Sequence, residues 1–566
     1  MKFYQKGFCV VVVIMISFTI NSNGFASSLE DLQSQVIERQ QQNQAAKEAQ
    51  VKTERQRQEN RVRLQKATKS LNKVKLPEEK ISFLINKLEL AGENAEKFQW
   101  ISSYLSKYEG EKIGVEGINL LIKTINEALI DRGFVTSKVY ITEQNLGEGN
   151  LIISLNAGVI GTIRFKEPVW GTYRNAFSVH AGDVLNIRDV EQGLEQMKRV
   201  PSQDVAIKLE PAEIVGATDI VIEVNRTNPW KITMSLDNSG TKDTGKLQAS
   251  TSLELDNPFS RNDIFSISYN KDAEKNDTRY GTKANSLYYS IPFGKDTLSY
   301  SRSKYQYHQT VTYAVNPFIS TGKISSDRLS LTHLLRRDQN RKTNLEIAIG
   351  KNQRHSYINN TEIEVQRQET SNMQIGINHR QYIGNRVLDA AITFHKGVPW
   401  FGAQPGPTDN IPGQATTLYS MYVLNGSYNA PVQIGNIRAK YLLELRAQKT
   451  KDAVYGSEFF SIGGRYSVRG FDGEQTLSAE NGVTLRNELN FGLKENQEIY
   501  LALDYGKVSG ESTKYLLGRE LLGGAIGLRG KIKDLHYDVF MGWPIKKPEG
   551  FKTAKRTYGF QIIQKL

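Results

Sequence analysis

A single cysteine, Cys9, is all that 566 residues provide. It lies in an apolar stretch near the N-terminus and not at a small-residue lipobox, so a lipoprotein is not expected. No disulfide is available to the chain. Long hydrophobic runs are equally scarce. The only one, Cys9 to Ile20, is about a dozen residues, whereas a membrane-spanning helix needs about 20. With 39% hydrophobic residues and a mean hydropathy of −0.46, a helical membrane protein is excluded. Also missing are a Walker-type glycine loop, an HExxH pair and any cluster of metal ligands. The lone histidines His180, His355 and His395 read as surface or lumen residues. No catalytic residue, metal or cofactor is therefore expected, and the chain does not read as an enzyme.

What is present begins with an export signal. Lys2 and Lys6 precede the apolar run, and Gly24-Phe25-Ala26 follows it with small residues at the cleavage positions, so residues 1–26 read as a Sec signal peptide. An exported protein of this length without disulfides must be stabilised otherwise. A closed barrel is one way, because every strand has a neighbour. The length by itself fits three or four domains, or one large barrel with smaller modules. The formal net charge is +13, but the basic residues are dispersed. Nucleic acid is not expected; a polar lumen or anionic lipid head groups account better for the charge.

Residues 27–71 are rich in Gln, Glu, Lys and Arg and contain neither Pro nor Gly. Ser27 and Glu30 fit a capping box, and Leu29, Leu32 and Val36 follow helical spacing. The later part, through Arg55, Arg57, Arg61 and Arg63, is polar all round, which suits a solvated helix, a linker, or a plug in a water-filled pore. About 20 helical residues reach roughly 30 Å, enough to cross a barrel lumen. Leu76-Pro77 marks a boundary. A first mixed unit follows. Ile81, Phe83 and Ile85 alternate as a strand, and Val115 to Arg132 is a helix with Ile118, Leu121, Ile122, Ile125 and Leu129 on one face. Gly133 stops it, and strands follow at Val135 to Thr142 and Leu151 to Leu155. A second unit repeats the order, with a strand at Ile160 to Phe165, a helix at Ile187 to Arg199, and strands at Val205 to Leu209 and Asp219 to Val224.

After Pro229 no convincing amphipathic helix recurs. Phe265, Ile267 and Tyr269 alternate with Ser266, Ser268 and Asn270; Leu345, Ile347 and Ile349 alternate with Glu346, Ala348 and Gly350; Tyr537, Val539, Met541 and Trp543 share a face. Turn-rich segments separate such runs, among them Gly397 to Gly413 with its four prolines. One apolar and one polar or small face, in strands of about ten residues, is the pattern of a transmembrane barrel. At about 21 residues per strand and connection, residues 229–566 give roughly sixteen strands. The last apolar alternation, Tyr558, Phe560, Ile562, runs to Leu566. Within this region the run Gly463-Gly464-Arg465-Tyr466-Ser467-Val468-Arg469-Gly470-Phe471-Asp472-Gly473 stands out, an apolar-Arg-Gly-aromatic knuckle in a glycine-dense loop. In Ile499 to Gly506, the face Ile499, Leu501, Leu503, Tyr505 is apolar. Tyr500, Ala502, Asp504 and Gly506 therefore face the lumen, and a carboxylate there either meets pore water or needs a partner.

The order of parts and these motifs resemble the B component of two-partner secretion, the outer-membrane transporters that export haemolysins, filamentous adhesins and contact-dependent inhibition toxins. Val468-Arg469-Gly470-Phe471 matches that family's sixth extracellular loop, Asn481-Gly482 and Arg486-Asn487-Glu488-Leu489 follow it, and Asp504-Tyr505-Gly506 fits its Asp-x-Gly strand motif. In the first unit, Arg132-Gly133-Phe134-Val135-Thr136-Ser137 and Gln144-Asn145-Leu146-Gly147-Glu148-Gly149-Asn150-Leu151 are similar to its turn and strand pattern; Arg199-Val200-Pro201-Ser202 resembles the helix end of the second. Ala502, where the family often has Phe or Gly, and a terminal Leu566 in place of Phe depart from the pattern.

The resemblance implies a mainly β fold. It comprises a signal peptide (1–26), a plug helix and linker (27–74), two POTRA domains (75–157 and 158–228) and a transmembrane antiparallel β-barrel of about sixteen strands (229–566). It implies a loop motif Val468, Arg469, Gly470 and Phe471 folded into the lumen, with Asp504 and Gly506 as the lumen partners of the arginine. Arg132, Gly133, Gln144, Leu146, Gly149 and Leu151 form the POTRA motif. The implied function is ATP-independent export, from periplasm to surface or medium, of a large exoprotein recognised through its N-terminal secretion domain. The other implied partners are outer-membrane lipid and, during biogenesis, the barrel assembly machinery. The location is the outer membrane of a Gram-negative bacterium with the N-terminal domains in the periplasm. An outer-membrane barrel insertase or a passive diffusion porin is the alternative; the porin leaves the two modules and the Val-Arg-Gly-Phe loop unexplained.

Overall fold

The computed structural model describes residues 72–274, 279–311, 317–406 and 413–566. The signal peptide and almost all of the expected plug helix and linker lie outside these residues.

The first unit is a three-stranded sheet in which Asn150–Asn156 is central, parallel to Lys87–Ala91 and antiparallel to Lys138–Tyr140. A small pair, Phe83–Ile85 with Glu111–Ile113, flanks it. The helix Val115–Asp131 presents Ile118, Leu121, Ile125 and Leu129 to this sheet, the stripe that helical spacing requires. Two differences from the sequence reading have local causes. A second helix, Gln99–Leu105, spans only seven residues, too few for a periodic signal. The strand read over Val135 to Thr142 is only Lys138–Tyr140, because Phe134 to Ser137 forms a turn in which the Ser137 amide donates to the Phe134 carbonyl at 3.2 Å.

The second unit repeats the plan. Ala217–Arg226 is central, parallel to Val159–Phe165 and antiparallel to Gln203–Pro211, and the helix Ile187–Lys198 covers one face. This helix is buried on more than its apolar side, since Glu191, Gln192 and Gln196 are buried too. They face the barrel. Gln196 donates to the Gly294 carbonyl at 3.0 Å, Arg337 of the barrel donates to Glu195 at 2.6 Å and to Gln192 at 3.1 Å, and Lys342 also pairs with Glu195. Just beyond the helix, Arg199 donates to the Asn262 carbonyl at 3.1 Å and the Ser202 amide to Asp256 at 2.6 Å.

Among the described residues, sixteen long strands from Trp230–Asp237 to Thr557–Lys565 close an antiparallel barrel; the two-residue strand Thr361–Glu362 extends one hairpin. Closure is made by the last strand pairing with the first, Ile562 opposite Leu236. Strands run from eight residues to the twenty of Phe318–Arg337, longer than the ten expected. Alternation sets the two faces. Leu501 and Leu503 are about half exposed on the outer face, where lipid would cover them, whereas Tyr500 and Asp504 point inward and are buried.

Candidate functional site

The connection between the strands Ile437–Thr450 and Asn481–Lys494 is the sixth on the side of the barrel away from the two small units. It does not stay outside. Its short hairpin, Phe460–Ile462 with Leu477–Ala479, and the knuckle between them lie on the inward face of the wall. Phe460, Ile462, Val468, Phe471 and Leu477 form an apolar cluster with Val508 and Leu521 of the wall and with Phe551, which meets Phe471 edge-on at a centroid distance of 5.9 Å.

Arg469 sits at the tip of this loop, 6% exposed. Its Nε donates to Asp504 Oδ2 at 2.7 Å and its Nη2 to Asp504 Oδ1 at 2.9 Å, a bidentate fork on a carboxylate that is fully buried. The Arg469 backbone amide also donates to Asp504 Oδ2, at 2.9 Å. Nη1 donates to Glu488 Oε2 at 2.5 Å. One guanidinium thus bridges two carboxylates on neighbouring strands, Asn481–Lys494 and Gln497–Ser509. Further cations balance them. Arg529 pairs with Glu488 and, at 2.5 Å, with Glu498; Arg486, directly opposite Asp504 across the ladder, lies 3.7 Å from it and donates to Glu444 at 3.0 Å. Tyr500 stands under both Arg469 and Arg529, whose guanidinium carbons are 5.9 and 4.6 Å from its ring centroid, and its hydroxyl donates to Asp538 at 2.9 Å.

The wall beneath the loop is glycine. Gly470 has φ +102°, a backbone state that other residues adopt only with strain, and a Cβ there would lie 2.4 Å from the Trp543 carbonyl oxygen. On the wall, a Cβ at Gly523 would lie 1.9 Å from the Arg469 carbonyl oxygen, one at Gly542 2.9 Å from Gly470 Cα, and one at Gly506 2.8 Å from Val468 Cγ2. Three adjacent strands therefore lack side chains where the loop touches them. Gly506 meets Val468 and Ile462, not the guanidinium. From the sequence, Arg486 and Glu488 are named only within the motif that follows the loop and Tyr500 only as facing the lumen, none with a role beside Arg469, and Arg529 is not named. Glu488, Tyr500 and Arg529 share the inward parity that draws attention to Asp504, which is the available signal.

The POTRA residues serve two joints. Gly133, at φ +96°, accepts from the Ile187 amide at 2.8 Å, and Asn186, the N-cap of the Ile187–Lys198 helix, donates to the Arg132 carbonyl at 3.2 Å. The Arg132 guanidinium lies 4.1 Å from the centroid of the Trp100 ring. These two residues therefore connect the first unit to the second. Gln144 exchanges two 2.8 Å hydrogen bonds with the main chain of Ile152, extending the sheet pairing past the end of Lys138–Tyr140. Gly149, at φ +75°, accepts from the Asn86 amide at 2.7 Å, Leu146 packs against the core, and Leu151 is buried in it.

Comparison with known proteins agrees with this architecture. The family model described as haemolysin secretion/activation protein ShlB/FhaC/HecB matches residues 216–530, and two POTRA models, one of them ShlB-type, match 159–211 and 83–158. The outer membrane transporter CdiB-2 of Burkholderia pseudomallei (strain 1026b) is 37% identical over 476 residues, 82% of this chain and 81% of its own. The hemolysin transporter protein ShlB of Serratia marcescens is 27% identical over 69% of this chain and 68% of its own. The solved structure of CdiB from Acinetobacter baumannii superposes with a TM-score of 0.83 at 26% identity, covering 94% of this chain and 99% of that one. This chain belongs to the haemolysin secretion/activation family ShlB/FhaC/HecB and is an outer-membrane transporter of two-partner secretion.

Proposed function

We propose that the chain exports one large exoprotein, captured in the periplasm by the two POTRA domains and threaded through the barrel without local ATP. Capture proceeds by addition of an extended N-terminal segment of the exoprotein to a sheet edge. Main-chain pairing supplies affinity with little demand on sequence. Edge strands such as the nine-residue Gln203–Pro211 support this reading. Residues 27–74 act as a plug that leaves the lumen when cargo arrives, and folding outside the cell prevents return. The shared identity of 37% with a CdiB protein, against 27% with a hemolysin transporter, favours cargo of the kind that the CdiB proteins carry.

The observation that carries the reading is the buried bracket of Arg469 between Asp504 and Glu488. It holds the sixth loop to one sector of the wall and so keeps that segment out of the cargo's path. Val468 and Phe471 anchor the loop by apolar burial, and Gly470, Gly506 and Gly523 allow the close approach. The test is secretion of the exoprotein encoded beside this chain, compared between medium and periplasm for wild type and Arg469→Ala. Exoprotein in the medium with wild type alone is the expected result. Equal secretion by both, or secretion without this chain, overturns the proposal and returns the porin and insertase readings.

A further inference from the structure

We propose that the outer face of the barrel carries a binding site for a phosphorylated glycolipid of the outer leaflet, built on Lys271, Lys283, Arg302, Lys304 and Lys323. All five are exposed, and strand alternation places all of them on the lipid side, the same face as Ile267, Leu287 and Leu329. They lie on four consecutive strands. On each strand the basic residues begin where the apolar band ends toward the extracellular side: Lys271 follows Tyr269, Lys283 follows Leu287 and Asn285, Arg302 follows Leu298 and Tyr300, and Lys323 stands beyond Leu329.

The register makes the charge costly if nothing neutralises it. Lys271 is directly opposite Lys283, and Lys304 is opposite Asn285, one step along the same face. Like charges facing each other across an antiparallel pair are destabilising. Among the described residues, Lys271, Lys283 and Lys304 make no ion pair. The acid within this face is Asp327, which lies 3.7 Å from Arg302 and already accepts the Tyr300 hydroxyl at 2.6 Å. Glu274, beyond the end of the Ile264–Asp272 strand, is engaged by the Lys246 amide, the Leu247 amide and the Tyr280 hydroxyl. The Lys323 ammonium lies over the Tyr357 ring at 4.6 Å.

Below the charges is a groove of about 430 Å³ in which Leu253, Ile267 and Leu287 lie beside Tyr269, Arg302 and Lys304. An occupant must therefore be anionic at its outer end and aliphatic below. A saccharide bearing phosphates and several acyl chains meets both demands. Its phosphates accept charge-assisted hydrogen bonds from the lysines, and its chains lie along the apolar band.

The test uses the full chain in detergent, titrated with bisphosphorylated lipid A and read by native mass spectrometry. Wild type is compared with Lys271→Ser/Lys283→Ser/Lys304→Ser, and barrel integrity is checked by heat-dependent gel mobility. The expected result is one retained glycolipid on wild type, at least about tenfold weaker retention on the triple variant, and similarly weak retention of dephosphorylated lipid A on wild type. Equal retention by wild type and variant overturns the proposal. So does equal retention of the phosphorylated and dephosphorylated lipids, or of phosphatidylglycerol and lipid A. If the triple variant does not assemble, Lys283→Ser alone, which removes the like-charge pair, carries the same comparison.

Discussion

Arg469 makes three side-chain hydrogen bonds to two buried carboxylates, so its planar fork matters as much as its charge. Arg469→Lys keeps the charge and loses the fork. The expected outcome is a folded barrel with strongly reduced secretion, read as exoprotein in the medium against heat-modifiable barrel in the membrane. Arg469→Ala leaves Asp504 and Glu488 buried without this partner, a loss of about 3–5 kcal/mol for a buried pair, and the released loop should be cut by external protease that spares wild type. Gly523→Ala tests the wall without touching charge. Its Cβ falls 1.9 Å from a backbone oxygen that cannot swing away, so the loop must lift, with the same protease sensitivity as Arg469→Ala. The Arg469–Asp504 pair was legible because an inward carboxylate in an otherwise apolar strand calls for a partner and the family motif names one. Glu488 was within reach of the same parity argument. Alternation against Ile526 and Leu528 also turns Arg529 inward, but its pairing with Glu488 was not legible, since no spacing rule brings together residues 41 positions apart on strands that are not neighbours.

At the scale of elements, the Ile187–Lys198 helix is the connection between periplasm and barrel. Burial raises the Glu195 carboxyl, but Lys342 and Arg337 outweigh it and hold the group down at about 2, against an ordinary value of 4.5. A depressed carboxyl stabilises fully above its unfolded value, and that contribution is lost as pH falls. The docking of this helix should therefore persist from neutral pH to about 4.5 and weaken between about 4.5 and 2. A spin-label distance between the second POTRA domain and a periplasmic turn, measured across that range, checks this; Glu195→Gln should show the loosened distance already at pH 7. Gly133→Ala should loosen the first domain from the second, because its Cβ would fall 2.3 Å from Asn186 Oδ1. Both helices of regular length were readable to within a residue from their apolar stripes. The docking of the polar side of the Ile187–Lys198 helix was not legible, since Glu191, Gln192, Glu195 and Gln196 have no signature that separates a wet face from one docked against a barrel.

The whole molecule is held by closure. Every long barrel strand has two partners, and the ladder between Thr557–Lys565 and Trp230–Asp237 completes the ring without a disulfide. Strand number and class were legible because dyad alternation persists through residues 229–566; the inward path of the sixth loop was expected only through the family motif, because local composition does not tell a loop that folds inward from one that stands in solvent. Transport through such a ring should need no nucleotide. Purified chain in liposomes, supplied with unfolded exoprotein fragment and neither ATP nor GTP, should move the fragment to a protease-protected lumen, and liposomes containing Arg469→Lys should not. The glycines under the loop limit interchangeability. Gly506, Gly523 and Gly542 belong to three different strands, yet all three are shaped to residues of a single connection. A loop grafted from a relative will seat only if those strands travel with it, so the smallest portable piece that keeps the glycine wall and the contacts of Phe551 to Ala554 runs from about residue 451 to residue 554.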